Sequence, residues 1–177
     1  MKKSIFHAAI STLLIVGLFS LPVSADDDKD TLVKFKGGIG VIPVSNVTVA
    51  GTVVTVSSNI VRGVNPAGQI WVIDELDAKV KTNGDVKVNG KGLILGGGNS
   101  TGRATGQIVF ATLICEASAP FTERSTATAP GVLLTAEGDF KIDDVLAPLP
   151  VGECASPMLL IRNAANGGWF AVGILDD

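Results

Sequence analysis

From Leu32 to the C-terminus, no long segment places its apolar residues at helical spacing. Val, Ile and Thr gather instead in short runs that Gly, Pro and Asn interrupt, a pattern that favours pleated strands packed through β-branched side chains. Residues 51–56 form one such run, and residues 69–73 another, entered through the turn Asn65-Pro66-Ala67-Gly68. Residues 107–115 are almost continuously apolar, as in a strand buried on both faces or packed in a sandwich core. Residues 132–136 and 140–142 flank Glu137-Gly138-Asp139 and read as a hairpin; residues 158–162 and 169–174 read as another pair. Many short strands at this spacing predict an all-β fold. The expectation is an antiparallel β-sandwich, with a β-barrel as the alternative.

One hairpin is defined to the residue. Asn83-Gly84 is the usual signature of a two-residue turn, but that register sets Val80 opposite Lys87 and mixes apolar and charged residues on one face. A three-residue loop, Thr82-Asn83-Gly84 with Gly84 left-handed, pairs Val80 with Val86, Ala78 with Val88 and Lys81 with Asp85. The longer loop is therefore predicted. Its consequence is a lysine-rich outer face: Lys79, Lys81, Lys87 and Lys91 share the solvent parity. Such a face can bind an anionic glycan or teichoic-type polymer, or can simply keep a sheet soluble and its edges unpaired.

The first 25 residues read as a secretory signal. Lys2 and Lys3 precede the apolar stretch 8–21, and Val23-Ser24-Ala25 supplies the small residues of a cleavage site. The expected organisation is a signal at 1–25, an acidic flexible leader at 26–31 and a single β domain at 32–177. Without the signal, 12 Lys+Arg face 17 Asp+Glu. That balance excludes the basic surface a nucleic-acid partner requires. No second apolar run approaches the length of a membrane span. A secreted or periplasmic location follows, and there Cys115 and Cys154 are expected to form a disulfide.

Chemistry finds little material. The one histidine, His7, lies in the signal, so Gly98-Asn99-Ser100-Thr101-Gly102 matches the nucleophile-elbow pattern without a base to serve it. Residues 96–106 read instead as a mobile glycine-rich loop. Zinc lacks ligands, and no cofactor is expected. The carboxylates Asp74, Glu75, Asp77, Asp143 and Asp144 are the remaining acid–base groups. They leave a carboxylate-dependent hydrolase acting on an extracellular glycan as the alternative to a non-enzymatic protein that binds a surface polymer or protein, or acts structurally.

Residues 61–73, VRGVNPAGQIWVI, together with 88–95 and 111–115, resemble small secreted bacterial proteins of uncharacterised function that carry an R-G-V-x-P-x-G-x-x-W-V segment. The resemblance implies export and a single β domain, and brings no defined activity. Within the segment Arg62, Pro66, Gly68 and Trp71 are expected to form a structural corner before a strand, with a binding lip as the alternative.

Overall fold

The computed structural model describes residues 29–176. The expected signal and most of the acidic leader lie outside the described residues. The first strand, β1 (Thr31–Gly40), already takes in the last residue assigned to that leader, and the Asp30 carbonyl accepts a hydrogen bond from the Thr82 amide.

Among the described residues no helix forms. One antiparallel sheet dominates. Its path runs through β10 (Val132–Leu133), β8 (Ile108–Ile114), β12 (Met158–Asn163), β13 (Trp169–Leu175), β1, β5 (Glu75–Lys81), β6 (Asp85–Lys91) and β11 (Phe140–Val145). The short β9 (Arg124–Ser125) also pairs with β8. Ser125 then exchanges both backbone hydrogen bonds, 2.9 and 2.8 Å, with Ala147 just beyond β11. The sheet thus curls until its two ends meet across one bridge. The all-β reading holds, and of the two architectures expected the chain takes the barrel: one sheet nearly closed on itself.

Alternation builds the wall. Along β5 and β6, Leu76, Ala78, Val80, Val86 and Val88 are buried, while their odd-numbered neighbours face outward. The β5–β6 register pairs Val80 with Val86 and Ala78 with Val88, and Gly84 has φ +89°, as the three-residue loop predicts. Residues 109–114 of β8 are buried on both faces, also as predicted.

Residues 132–142 do not form the simple hairpin expected. The turn is made, with Thr135 accepting from Gly138 and donating to Asp139, but β10 pairs with β8 and β11 with β6. The turn docks instead on the connector after β6: Leu93 donates to the Gly138 carbonyl at 3.0 Å, and Gly92 donates to the Asp139 carboxylate at 3.1 Å.

Outside the barrel, β4 (Trp71–Val72) pairs with β7 (Ile94–Leu95). The glycine-rich residues that follow β7 are held by backbone bonds rather than left as an open loop: Gly96 donates to Ile70, and Gly102 to Leu95. The strands β2 (Val44–Ala50) and β3 (Val53–Ser58) pair only with each other.

Candidate functional site

Strand pairing turns the predicted lysine hairpin into a wider face. Lys34 of β1 lies opposite Lys79 of β5, Lys79 opposite Lys87 of β6, and Lys87 opposite Asp143 of β11. These four residues form one row across four strands. The next row along the strands is Lys36, Asp77, Asn89 and Lys141. Neighbouring strands lie ~4.8 Å apart, so the three lysines of the first row span about 10 Å at their backbones.

A shallow groove of about 480 Å³ runs over this face, lined among others by Lys34, Lys79, Lys87, Lys141, Asp77 and Asp143. Lys87 makes an ion pair with Asp143 at 3.5 Å, both side chains about three-quarters exposed. Lys91 stands apart from the groove. It bonds Glu75 at 2.6 Å, and that contact raises its pKa above the usual lysine value. Lys81 sits at the opposite end of β5, across from Thr31. The structure therefore separates the four predicted lysines: Lys79 and Lys87 join in the groove, while Lys91 and Lys81 flank it.

Lys34, Lys36 and Lys141 were not predicted. Lys34 and Lys36 straddle the buried Phe35 with period two, a signal readable in the sequence once β1 is recognised. Lys141 likewise sits between buried Phe140 and Ile142.

The other predicted acids have modest surroundings. Asp74 is exposed, and Asp144 accepts the Ala127 amide at 2.9 Å. Among the described residues, no three His, Cys, Asp or Glu side chains gather as a metal site.

A second charged cluster, absent from the sequence reading, lies beside the disulfide Cys115–Cys154. The largely buried Arg124 donates to Glu116 at 2.9 Å and to the Thr122 carbonyl at 3.0 Å. Arg162 pairs with Glu123, donates to the Gly167 carbonyl at 2.8 Å and lies over the Phe110 ring, 5.2 Å from its centroid. Each arginine has its own carboxylate, so the cluster is internally neutralised and braces the barrel end. The Arg124 hydrogen bond, aided by the Thr122 amide, holds the Glu116 carboxyl at about 2, well below its ordinary 4.5. A depressed carboxylate contributes stability that is present above its unfolded pKa and is lost as pH falls toward the folded value. Acid titration should show the protein losing stability between about pH 4.5 and 2, and Glu116→Gln should flatten that slope by one proton. Equal slopes for the two proteins in urea melts across this range would remove Glu116 from the account.

The RGV segment folds as a tight corner. Val61 and Val64 exchange backbone bonds of 3.0 and 2.9 Å around Arg62 and Gly63, whose φ angles of +48° and +85° are those of a two-residue hairpin turn. The Arg62 guanidinium donates to the Ile114 carbonyl at 3.0 Å and to Ser156 Oγ at 2.7 Å, fastening the corner beside the disulfide. Trp71 is buried, its ring 4.1 Å from that of Phe170. Pro66 forms a parallel bridge with Trp169.

Among the described residues, no helix is long and apolar enough to cross a membrane. Compared with protein families, curated proteins and solved structures, the chain matches none.

Proposed function

We propose that this chain is an exported barrel protein that holds an anionic polymer of the cell surface against the outer face of β1, β5, β6 and β11. The observation that carries this reading is the in-line row of Lys34, Lys79 and Lys87. A linear polyanion laid across the row would meet three lysines in line, at the spacing of neighbouring strands, and release its own counterions. The disulfide, which belongs in an oxidising compartment, and the resemblance to secreted bacterial proteins support export.

The test is co-sedimentation with cell-wall material bearing teichoic-type polymer. At ~0.05 M salt the protein should pellet with the walls, and at ~0.5 M, where screening is much shorter-ranged, it should stay in solution. Lys34→Ser, Lys79→Ser and Lys87→Ser combined should weaken retention roughly tenfold, the scale of about 1.4 kcal/mol. Lys91→Ser, which lies outside the groove, should change it little. Retention that ignores both salt and the triple substitution would defeat the proposal. Release of sugar reducing ends, abolished by Asp77→Asn in the same groove, would replace binding with hydrolysis.

A further inference from the structure

The β2–β3 hairpin is built unlike the rest of the molecule. Every residue of both strands is exposed, and no other strand pairs with either. One face carries a ladder of valines, Val47 opposite Val56 and Val49 opposite Val54, and the other carries Thr48 opposite Thr55. Val49 is 67% exposed and Val54 60%. Residues 37–61 contain no charged and no aromatic side chain. An isolated two-stranded hairpin is marginal in water, and soluble proteins normally guard such edges with charge or proline. This arm has neither device within its strands.

The base of the arm is fixed. Asn59 donates its amide to the Pro43 carbonyl at 2.8 Å and its side-chain nitrogen to the Ile42 carbonyl at 2.9 Å. The Trp169 indole donates to the Asn59 carbonyl at 3.1 Å, tying that base to the barrel. The arm is thus held out in one orientation, which lowers the ordering cost of docking it.

We infer that the β2–β3 arm is a homodimer contact, in which the arms of two copies lie valine face to valine face and clasp each other's base. Area supports this occupant. The four ladder valines, with Ile42 and Ile60 at the base, are each more than half exposed. At roughly 100 Å² of full burial per side chain they offer on the order of 350 Å² of apolar surface. In an interface about 57% apolar, that corresponds to ~600 Å² per partner. Stable complexes begin at about this size, ~600 Å² on each side.

Charge also points to a second copy. The chain carries a net charge of −3, so two copies repel over most of their surface. The arm is where they can approach without like charges meeting. Its ladder is also self-matching, as a two-fold contact requires. A bilayer is a poorer partner. Spanning strands need ~9–11 residues, against 7 and 6 here, and the aromatic and basic anchors of a membrane interface are missing.

The experiment is light scattering on the protein secreted from a bacterial host, loaded at about 10 μM, the weak end for interfaces of this size. The parent should elute with twice the chain mass. Val47→Thr, Val49→Thr, Val54→Thr and Val56→Thr combined keep the β-branched shape and should give a monomer with the parent's melting temperature at high dilution. Val49→Lys and Val49→Glu should each be monomeric alone and should pair when mixed, which shows that the arm is folded in both. A monomeric parent, or a dimer that survives both sets of substitutions, overturns the inference. So does a ladder of species growing beyond the dimer, or capture of a monomeric parent by phosphatidylglycerol vesicles.

Discussion

Gly40→Ala is expected to cost about 3 kcal/mol or more, one of the largest losses available from adding a single methyl group. A Cβ at this position would stand 2.1 Å from the Trp71 carbonyl oxygen and 2.7 Å from the Val72 Cα, all backbone atoms that cannot swing aside. Nor can the two segments separate. Trp71 donates to the Val41 carbonyl at 3.1 Å, its ring is packed on Phe170, and Gly40 is itself paired with Ala171 of β13. In a domain of this size the loss should appear as a fall of roughly 6–12 °C in Tm. Gly68→Ala is the internal control. Nothing lies within 4 Å of its added methyl, and its φ is not left-handed. It should therefore stay within ~0.5 kcal/mol of the parent. Equal melting of the two variants would show that the β1–β4 contact is looser than the geometry requires.

Cutting the disulfide is expected to do comparable damage by a different route. Cys115 follows β8 and Cys154 precedes β12, a separation of 39 residues that encloses β9, β10 and β11. Chain-entropy reasoning for such a loop gives about 4 kcal/mol, since the cross-link restricts the unfolded chain far more than the folded one. Cys115→Ser with Cys154→Ser should accordingly lower Tm by roughly 8–16 °C. The enclosed segment supplies both β11 and the residues that close the ring, so barrel closure should weaken with it. A double variant melting within ~1 kcal/mol of the parent would mean that the unfolded chain already keeps this loop closed without the cross-link.

What could be read from the sequence was what depends on near neighbours. The β5–β6 register followed from Asn83-Gly84 and the alternation on either side, because a slip of one residue would bury lysines. The buried character of β8 followed from its unbroken apolar run. Choosing barrel over sandwich required pairings that period alone does not encode. β8 meets β12 about fifty residues away, and closure rests on Ser125 finding Ala147. The hairpin expected around Gly138 failed for the same reason. Its turn was recognisable, but its strands found better partners in β8 and β6.

The lysine face was half legible. Lys79 and Lys87 were visible as cross-strand neighbours, whereas Lys34 joined them only through β1–β5 pairing. Glu75 could have been matched to Lys91 from the same register that placed the hairpin. The Glu116–Arg124 and Glu123–Arg162 pairs left no local signal, since each depends on how loops fold over the barrel end.

The way the ring is joined has a consequence for motion. From β8 through β12, β13, β1, β5 and β6 to β11, neighbouring strands meet through three or more paired residues, yet the ring's ends meet at a single two-bond bridge between Ser125 and Ala147. Beside that bridge, between β10 and β11, lies a gap of about 190 Å³. Thermal breathing concentrates where backbone bonds are fewest and packing is thinnest. The amides of Ser125 and Ala147 are accordingly expected to exchange their hydrogens with water sooner than those at the centres of β8 and β12, as hydrogen exchange would show.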